Sequence, residues 1–396
     1  MTEKRPLALV LGRNQTSRLG MVHSAAAAGC DVAVVRTYIE KNMIAEADTY
    51  SRYVSSYHNV RQGDERGLMQ LIAAYESEER PVILLPTDDH VAALLDHYLD
   101  RLSTHFLQPH VMQEQDGLFR LMDKSRQKEL ARQAGLPVAE GWVCSYVEGA
   151  YQVPDDVTFP CFTKPIDSAE GHLKQYQQRC DDGEQLAALL AKVSASYCGR
   201  MLVEAYHPID RELAVLGVSM GERSVVPALI EMDCGLNGVM GTGRVLPIAP
   251  DLQAKLQAFM AQTQLTGLFD IDLYESEGVV YFNELNLRYG ANGFALTHGG
   301  LNLPQLLIDH LVKGHADVTG SEAIETPYSF ANEFQLQNIY LSGRIGFGQY
   351  QHLKKAADVR SLRFANDSNP LRMFSLFEWV MPLRRWSRQL KKKLRS

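Results

Sequence analysis

Two apolar-rich segments with a polar break between them form the clearest pattern in the chain, at residues 268–288. The break is Glu275-Ser276-Glu277-Gly278 and ends in glycine, which predicts a β-hairpin. Because side chains alternate across a strand, each strand should carry its polar residues on one face. The predicted faces consist of Asp270, Asp272 and Tyr274 on the first strand, and of Phe282, Glu284, Asn286 and Arg288 on the second.

The polar face of this hairpin predicts a metal site. Asp272, Glu284 and Asn286 offer two carboxylates and one amide oxygen, which suit a hard cation such as Mg²⁺ or Mn²⁺ that also binds phosphates and water. Arg288 would face the same phosphates and stabilise the charge that develops during their transfer. The alternative is an exposed face with solvated charges, which would normally mix in Lys, Thr and Ser.

The start of the chain has the pattern of an α/β sheet. A strand at 7–11, a helix at 19–28 and a second strand at 32–35 predict the βαβ unit that opens a doubly wound sheet. Residues 12–15 (GRNQ) follow the first strand, where such sheets bind ligands, although they lack the G-x-G-x-x-G pattern of dinucleotide sites.

A further strand at 81–86 leads into Thr87-Asp88-Asp89 and a helix at about 90–102. Either Asp88 or Asp89 is expected to cap this helix, and the other would contact substrate.

The middle of the chain begins with a helix. It should start near Asp123 or Ser125 and stop at Gly135, since Pro137 follows. A short strand at 159–162 then leads into Lys164, whose ammonium would project into a cleft as a point charge for phosphate oxygens.

These motifs together resemble the ATP-grasp superfamily. Asp272 is followed twelve positions later by E-x-N-x-R, and upstream lie Asp123-Lys124 with a helix and a G-L-P turn, then Lys164-Pro165. The resemblance implies an α/β ATP-grasp fold, in which two α+β subdomains clasp ATP, after a Rossmann-like preATP-grasp domain. It divides the chain into residues 1–118, an ATP-grasp domain at 119–325 with its lid subdomain at about 138–203, and a C-terminal extension at 326–396.

Residue by residue, the resemblance also implies site roles. It assigns ATP binding to Lys124, Lys164, Lys174, Glu204, Ala205 and Glu212, metal binding to Asp272, Glu284 and Asn286, catalysis to Arg288, and substrate contacts to Asp88, Asn292 and His298. Glu204 and Ala205 would act as an adenine hinge through their backbone. Asp210 competes with Glu212 for the ribose, and either acid could instead pair with Arg211.

Two loops depart from the pattern or leave it open. The family's glycine-rich flap should lie at 166–174, but Gly171 is the one glycine there. The glycine-rich segment 235–243 is either a mobile loop near the acceptor site or a plain connector.

The activity that the resemblance implies is that of an EC 6.3 ligase, similar to D-aspartate ligases. Such an enzyme, with ATP and Mg²⁺ (or Mn²⁺), activates a small-molecule carboxylate as an acyl phosphate and joins it to an amine, releasing ADP and phosphate. The alternatives are a non-catalytic ATP-binding regulatory protein and an ATP-grasp kinase or carboxylase.

Composition narrows the setting. The 396 residues are 45% hydrophobic and 22% charged, and no signal peptide or membrane-spanning run is evident, which indicates a cytoplasmic protein. The six cysteines lack metal or disulfide spacing. Residues 384–396 contribute +7 to a net charge of −7, so the rest of the chain carries −14 and is unsuited to nucleic acid. The basic, amphipathic segment 373–396 would contact either an anionic membrane or the acidic body of its own or a neighbouring subunit in a homodimer.

Overall fold

The computed structural model describes residues 4–39, 46–166, 175–233 and 241–378. The predicted tail helix beyond 378 and most of the glycine-rich segment at 235–243 lie outside the described residues, as does Lys174.

The described strands and helices follow in chain order. The strands are β1 Leu7–Gly12, β2 Asp31–Tyr38, β3 Val54–Arg61, β4 Val82–Pro86, β5 His110–Val111, β6 Gly141–Val147, β7 Ala150–Gln152, β8 Cys161–Pro165, β9 Arg179–Cys180, β10 Met201–Ala205, β11 Arg211–Met220, β12 Arg223–Val225, β13 Leu229–Met232, β14 Thr242–Leu246, β15 Leu265–Ser276, β16 Val279–Asn286, β17 Tyr328–Ala331 and β18 Val359–Arg360. The helices are α1 Gln15–Ala27, α2 Glu65–Ala73, α3 Asp89–His97, α4 Leu99–Leu102, α5 Gly117–Leu121, α6 Lys124–Gln133, α7 Gly183–Ser194, α8 Pro250–Thr263, α9 Gly293–His298, α10 Leu303–Lys313, α11 Glu333–Leu341, α12 Phe347–Ala356 and α13 Asn369–Glu378.

The N-terminal sheet is parallel, with strand order β3-β2-β1-β4. Every residue of β1 and of β4 is buried, as expected for a sheet covered by helices on both faces. The strand order reverses between β1 and β4, so the carboxyl ends of these two strands form the switch point at which such sheets bind ligands. The backbone N–H of Arg13 there donates to Asp88 Oδ2 at 2.7 Å. The predicted doubly wound opening is confirmed.

A second sheet, ordered β7-β6-β10-β8-β9, contains β8 and β10, the strands that carry Lys164 and Glu204. Helix α7 buries its apolar side chains in the same core as Trp142 and Met201. This antiparallel sheet and its helix support the two strands that carry Lys164 and Glu204.

The third sheet has nine strands in the described residues, and β15 lies next to the end strand β16, between it and β11. Strands β17 and β18, which follow residue 326, extend its far edge through β14. The C-terminal extension therefore contributes two strands, β17 and β18, to the nine-stranded sheet.

The predicted hairpin is confirmed as β15 and β16, joined by Glu277 and Gly278 with φ of 52° and 77°. Two consecutive residues with positive φ are typical of the tight turns that match strand twist.

One detail of the hairpin prediction is wrong. Asp272 pairs with Glu284 whereas Leu273 pairs with Phe282, so Asn283 is an extra residue in a β-bulge. Phe282 consequently lies on the opposite face from Glu284, fully buried in the core that includes Phe259. A local bulge of this kind reverses the alternation on which the prediction depended.

The described part of the C-terminal segment packs on the body of the protein. Phe374 of α13 is 6% exposed and its ring makes an edge contact with Phe334 of α11. In the described part of the chain, none of the helices has both the length and the apolar character that crossing a membrane requires.

Candidate active site

A cleft with a volume of about 360 Å³ opens between the second sheet and the nine-stranded sheet. Six residues that the sequence predicted for the site line it: Lys164, Glu204, Ala205, Glu212, Asp272 and Glu284. These residues come from β8, β10, β11, β15 and β16 of two different sheets. The fold thus brings together side chains that are up to 120 positions apart in the sequence.

One end of the cleft, which we call the lysine end, consists of Lys128, Lys164 and Glu204. Lys164 Nζ lies 2.5 Å from Glu204 Oε2, and Lys128 Nζ contacts the other carboxylate oxygen, Oε1. The three side chains are only 3 to 7% exposed. Burial alone would raise the pKa of Glu204, but the two ammonium groups lower it below its ordinary value.

A second cluster beside the lysine end, which we call the carboxylate end, consists of Asp270, Asp272 and Glu284, of which Asp272 and Glu284 line the cleft. Burial, together with the charges of Asp270 and Glu284, raises the pKa of Asp272 well above its ordinary value. The pKa of Glu284 is lowered despite its burial, mainly by Lys124 and Lys164. Negative charge is therefore in excess around Asp272.

The residues at the carboxylate end fit a divalent cation. A cation would relieve the excess charge, and Asp272 and Glu284 are directly opposed on neighbouring strands. Asn286 donates from Nδ2 to Asp272 Oδ2 at 3.2 Å, so its amide lies beside the same carboxylate, and a 180° turn of the amide would present its oxygen. Among the described residues no cluster of three His, Cys, Asp or Glu side chains is arranged as a metal site. The cation would therefore depend on two carboxylates, the amide and non-protein oxygens.

Helix α6 links the two ends. Asp123 caps it by accepting from the N–H groups of Ser125 and Arg126, which confirms the predicted start. Lys124, in the first turn, lies 3.2 Å from Glu284 Oε2.

The next residues of α6 add two contacts that the sequence analysis missed. Gln127 accepts from the N–H of Leu285 at 2.9 Å and donates to the Leu285 and Leu121 carbonyl oxygens at 2.8 and 2.9 Å. Lys128, four positions after Lys124 and thus on the same helix face, contacts the lysine end.

Arg288 lies between two acids. Its Nη1 donates to Asp270 Oδ2 at 2.7 Å, and its Nε lies 3.7 Å from Asp89 Oδ1. The neighbouring acids, first of all Asp89 and Asp270, keep the pKa of Arg288 above its ordinary value although burial opposes this. Arg288 thus lies where the nine-stranded sheet meets the carboxyl end of β4.

The two aspartates after β4 have different environments. Asp88 is the cap of α3, because its side chain accepts from the N–H of Val91. Asp89 Oδ1 is buried and accepts no hydrogen bond from the described residues, and burial raises the pKa of Asp89. The substrate contact predicted for Asp88 stays a prediction, and the structure favours Asp89 as the acid with a vacant acceptor.

The predicted adenine hinge lies inside a ladder of hydrogen bonds. The N–H of Ala205 donates to the Glu140 carbonyl, and that of Tyr206 donates to the Pro160 carbonyl, both at 2.9 Å. An adenine contact at this hinge must therefore use other groups among the residues that line the cleft, which also include Tyr206 and His207.

The geometry separates the two candidates for a ribose contact. Asp210 Oδ2 accepts from the N–H of Glu277, in the hairpin turn, at 2.7 Å. Arg211 pairs with Glu231 and Glu275 rather than with either candidate. Glu212 lines the cleft, which keeps it as the stronger candidate.

The remaining predicted substrate residues are less central. Asn292 donates to the sulfur of Met232, which lines the cleft, at 3.3 Å. Both ring nitrogens of His298 are occupied within the protein, one by His23 at 3.1 Å and the other by the Arg360 carbonyl at 3.0 Å. Burial and the neighbouring His23 lower the pKa of His298 to about 3. The geometry therefore does not favour a substrate contact by His298, and this role stays a prediction.

Comparison with known proteins gives similarity to ligases. No family model matches the chain. A D-aspartate ligase from Enterococcus faecium is 25% identical over 261 residues, which cover 60% of this chain and 60% of that protein. The solved L-amino acid ligase of Bacillus licheniformis has a TM-score of 0.61 at 14% identity, over 83% of this chain and 80% of the other. The N5-carboxyaminoimidazole synthetase of Staphylococcus aureus, solved in complex with ADP, has a TM-score of 0.60 at 16% identity, over 88% and 87%.

The curated relative is matched along less than two thirds of its length, whereas the structural matches extend over most of both chains. The structural matches show that the chain shares the fold of these enzymes, and the motifs that converge in the cleft resemble those of the ATP-grasp superfamily.

Proposed function

We propose that the protein is an ATP-dependent ligase that activates a small-molecule carboxylate as an acyl phosphate and joins it to an amine, with release of ADP and phosphate. The observation that carries this proposal is one cleft that joins buried lysines to a cluster of buried carboxylates. These carboxylates repel one another and lie beside an arginine. The similarity to a D-aspartate ligase, and to an L-amino acid ligase in fold, supports the reaction class.

The lysines serve nucleotide binding in this proposal. Lys164 and Lys124 each present an ammonium at the boundary between the two sheets, where it would act as a point charge on phosphate oxygens. Lys124 would also keep Glu284 ionised, because its charge is the main one that lowers the pKa of Glu284.

Asp272, Glu284 and Asn286 are proposed to hold Mg²⁺ or Mn²⁺. The cation, when bound, supplies a Lewis acid that neutralises and orients phosphate oxygens. The chain's own contribution is alignment, because these residues are on paired strands and Asp272 lies directly opposite Glu284, beside the bulge at Asn283.

Arg288 is proposed to stabilise the phosphoryl group during transfer. Asp270 fixes one arm of its guanidinium through a 2.7 Å hydrogen bond, so the rest of the planar group is oriented before substrate binds. Since Arg288 also faces Asp89, the first residue of α3, the carboxylate to be activated would bind where the nine-stranded sheet meets the carboxyl end of β4.

A trapping experiment tests the proposal. The purified protein is incubated with ATP, Mg²⁺, pooled amino and carboxylic acids, and hydroxylamine. We expect ADP, phosphate and a hydroxamate in equal amounts, and subdividing the pool then identifies the acid. AMP with pyrophosphate would overturn the acyl-phosphate mechanism. Nucleotide binding without turnover, across the whole pool and in the presence of amines, would favour a regulatory protein.

A further inference from the structure

Lys128 has no role in the proposed function, yet it is among the most buried lysines of the described chain, at 2% exposure. It contacts Glu204 Oε1, while Lys164 contacts Oε2 of the same carboxylate. Lys164 also donates to Asn283 Oδ1 at 2.9 Å. One carboxylate thus binds two ammonium groups, of which Lys164 is the one proposed to bind phosphate.

We propose that Lys128 is a positioning residue that neutralises Glu204, so that Lys164 can turn to the phosphates of a bound nucleotide. This inference rests on the proposed nucleotide site.

The physical reason is the cost of an unpaired buried charge. If Lys164 were the sole cation on Glu204, its movement to a phosphate would leave that buried carboxylate uncompensated. Because Lys128 stays on Oε1, Glu204 keeps a counter-ion when Lys164 leaves. Lys128 extends from α6, whereas Lys164 extends from β8, so the two ammonium groups can move independently.

The charges around Lys128 also predict a pH dependence. Burial, followed by the charge of Lys164 on β8, lowers the pKa of Lys128 to about 8. Glu204 on β10 opposes this shift and Arg132 on α6 adds to it slightly. Tyr274 on β15, which also faces Glu204, stays neutral because burial raises its pKa. Above pH 8 Lys128 therefore becomes neutral, and Glu204 should retain Lys164.

Calorimetric titration with ADP and Mg²⁺ tests the proposal in four proteins: the wild type, Lys128→Met, Glu204→Gln and the double variant. We expect Lys128→Met to weaken ADP binding about tenfold, the value of one charged contact. Adding Glu204→Gln should restore affinity to within about threefold of Glu204→Gln alone, because no carboxylate then retains Lys164. A double variant that binds as weakly as Lys128→Met would overturn the proposal, since Lys128 would then act on phosphate directly or only on the fold.

A pH series gives a second readout, which in the wild type needs no substitution that could affect folding. Between pH 7 and pH 9 the wild type should lose about tenfold in ADP affinity, the value of one charged contact, while Lys128→Met should change little and Lys128→Arg should keep its affinity. Lys192→Met, at an exposed lysine of α7, is the matched control and should behave as the wild type. Equal profiles in the wild type and Lys128→Met would overturn the inference alone. Absence of ADP binding by the wild type would overturn the proposed function, and the inference with it.

Discussion

The lysine end and the carboxylate end of the cleft are both buried, but they differ in how their charges are balanced. At the lysine end, Glu204 contacts two ammonium groups and its pKa is lowered. At the carboxylate end, Asp272 faces two further acids and its pKa is raised. The free protein thus satisfies the lysine end internally, whereas the carboxylate end carries a strain that a cation would relieve. Removing a charge should therefore destabilise the lysine end, whereas removing the charge of Asp272 should relieve repulsion at the carboxylate end.

The largest expected effect follows from a variant that disrupts the carboxylate end. In the variant with Asp272→Asn and Glu284→Gln, turnover should fall by about 10³-fold or more, because the proposed cation loses both charged ligands. The unfolding temperature should change little, because Asp272→Asn relieves repulsion between buried acids whereas Glu284→Gln removes an ion pair with Lys124. ADP release and thermal unfolding measure the two effects.

The matched control for this variant is Asp156→Asn with Glu184→Gln, which removes the same charges from exposed positions. It should leave turnover unchanged. Persistent turnover in the Asp272 and Glu284 variant would contradict the metal assignment.

The second effect concerns Arg288, which belongs to neither end but pairs with Asp270. Arg288→Lys keeps the charge and loses the planar fork that Asp270 orients, so kcat should fall about 10²-fold with little change in the KM for ATP. Steady-state kinetics separate these parameters. A rise in KM with an unchanged kcat would instead mean that Arg288 only binds substrate.

Much of the fold could be predicted from sequence because its signals are local. The hairpin was evident from two apolar segments around Glu277-Gly278, and α6 from its Asp123 cap and Gly135 stop. Lys164, Asp272 and Glu284 lie in one cleft as the order of their motifs implied.

The contacts that could not be predicted join distant parts of the chain. Lys128 and Glu204 are 76 positions apart, and Lys164 and Asn283 are 119 apart. His23 and His298, 275 positions apart, share a hydrogen bond between one ring nitrogen of each, and nothing in the sequence around either histidine indicates this contact. The bulge at Asn283 also left no mark in the alternation of residues. Spacing from Lys124 was nevertheless a usable signal for Lys128, since four positions place two side chains on one helix face.

A third effect tests the link between the two ends. Gln127→Leu removes three hydrogen bonds, one that the side chain accepts and two that it donates. The N–H and C=O of Leu285 and the C=O of Leu121 lose this partner. The free energy of unfolding should fall by about 2 kcal/mol, because buried backbone groups lose hydrogen bonds. Urea denaturation measures this loss. Gln133→Leu, on the exposed end of the same helix, is the control and should change stability by less than about 0.5 kcal/mol.

The smallest expected effect sharpens the comparison at the lysine end itself. Lys164 donates to two acceptors, Glu204 and Asn283, and the two differ in charge and exposure. Asn283 is neutral and partly exposed, so water can replace its amide oxygen when it is removed. Asn283→Ala should therefore change ADP affinity by no more than about threefold, whereas a charge change at Glu204 acts on a buried ion pair. Calorimetric titration of Asn283→Ala and of Glu204→Gln with ADP and Mg²⁺ gives the two changes in affinity, which can then be compared. A tenfold loss in Asn283→Ala would mean that the bulge residue, rather than the shared carboxylate, positions Lys164, and the lysine end would then depend on β16 as closely as the carboxylate end does.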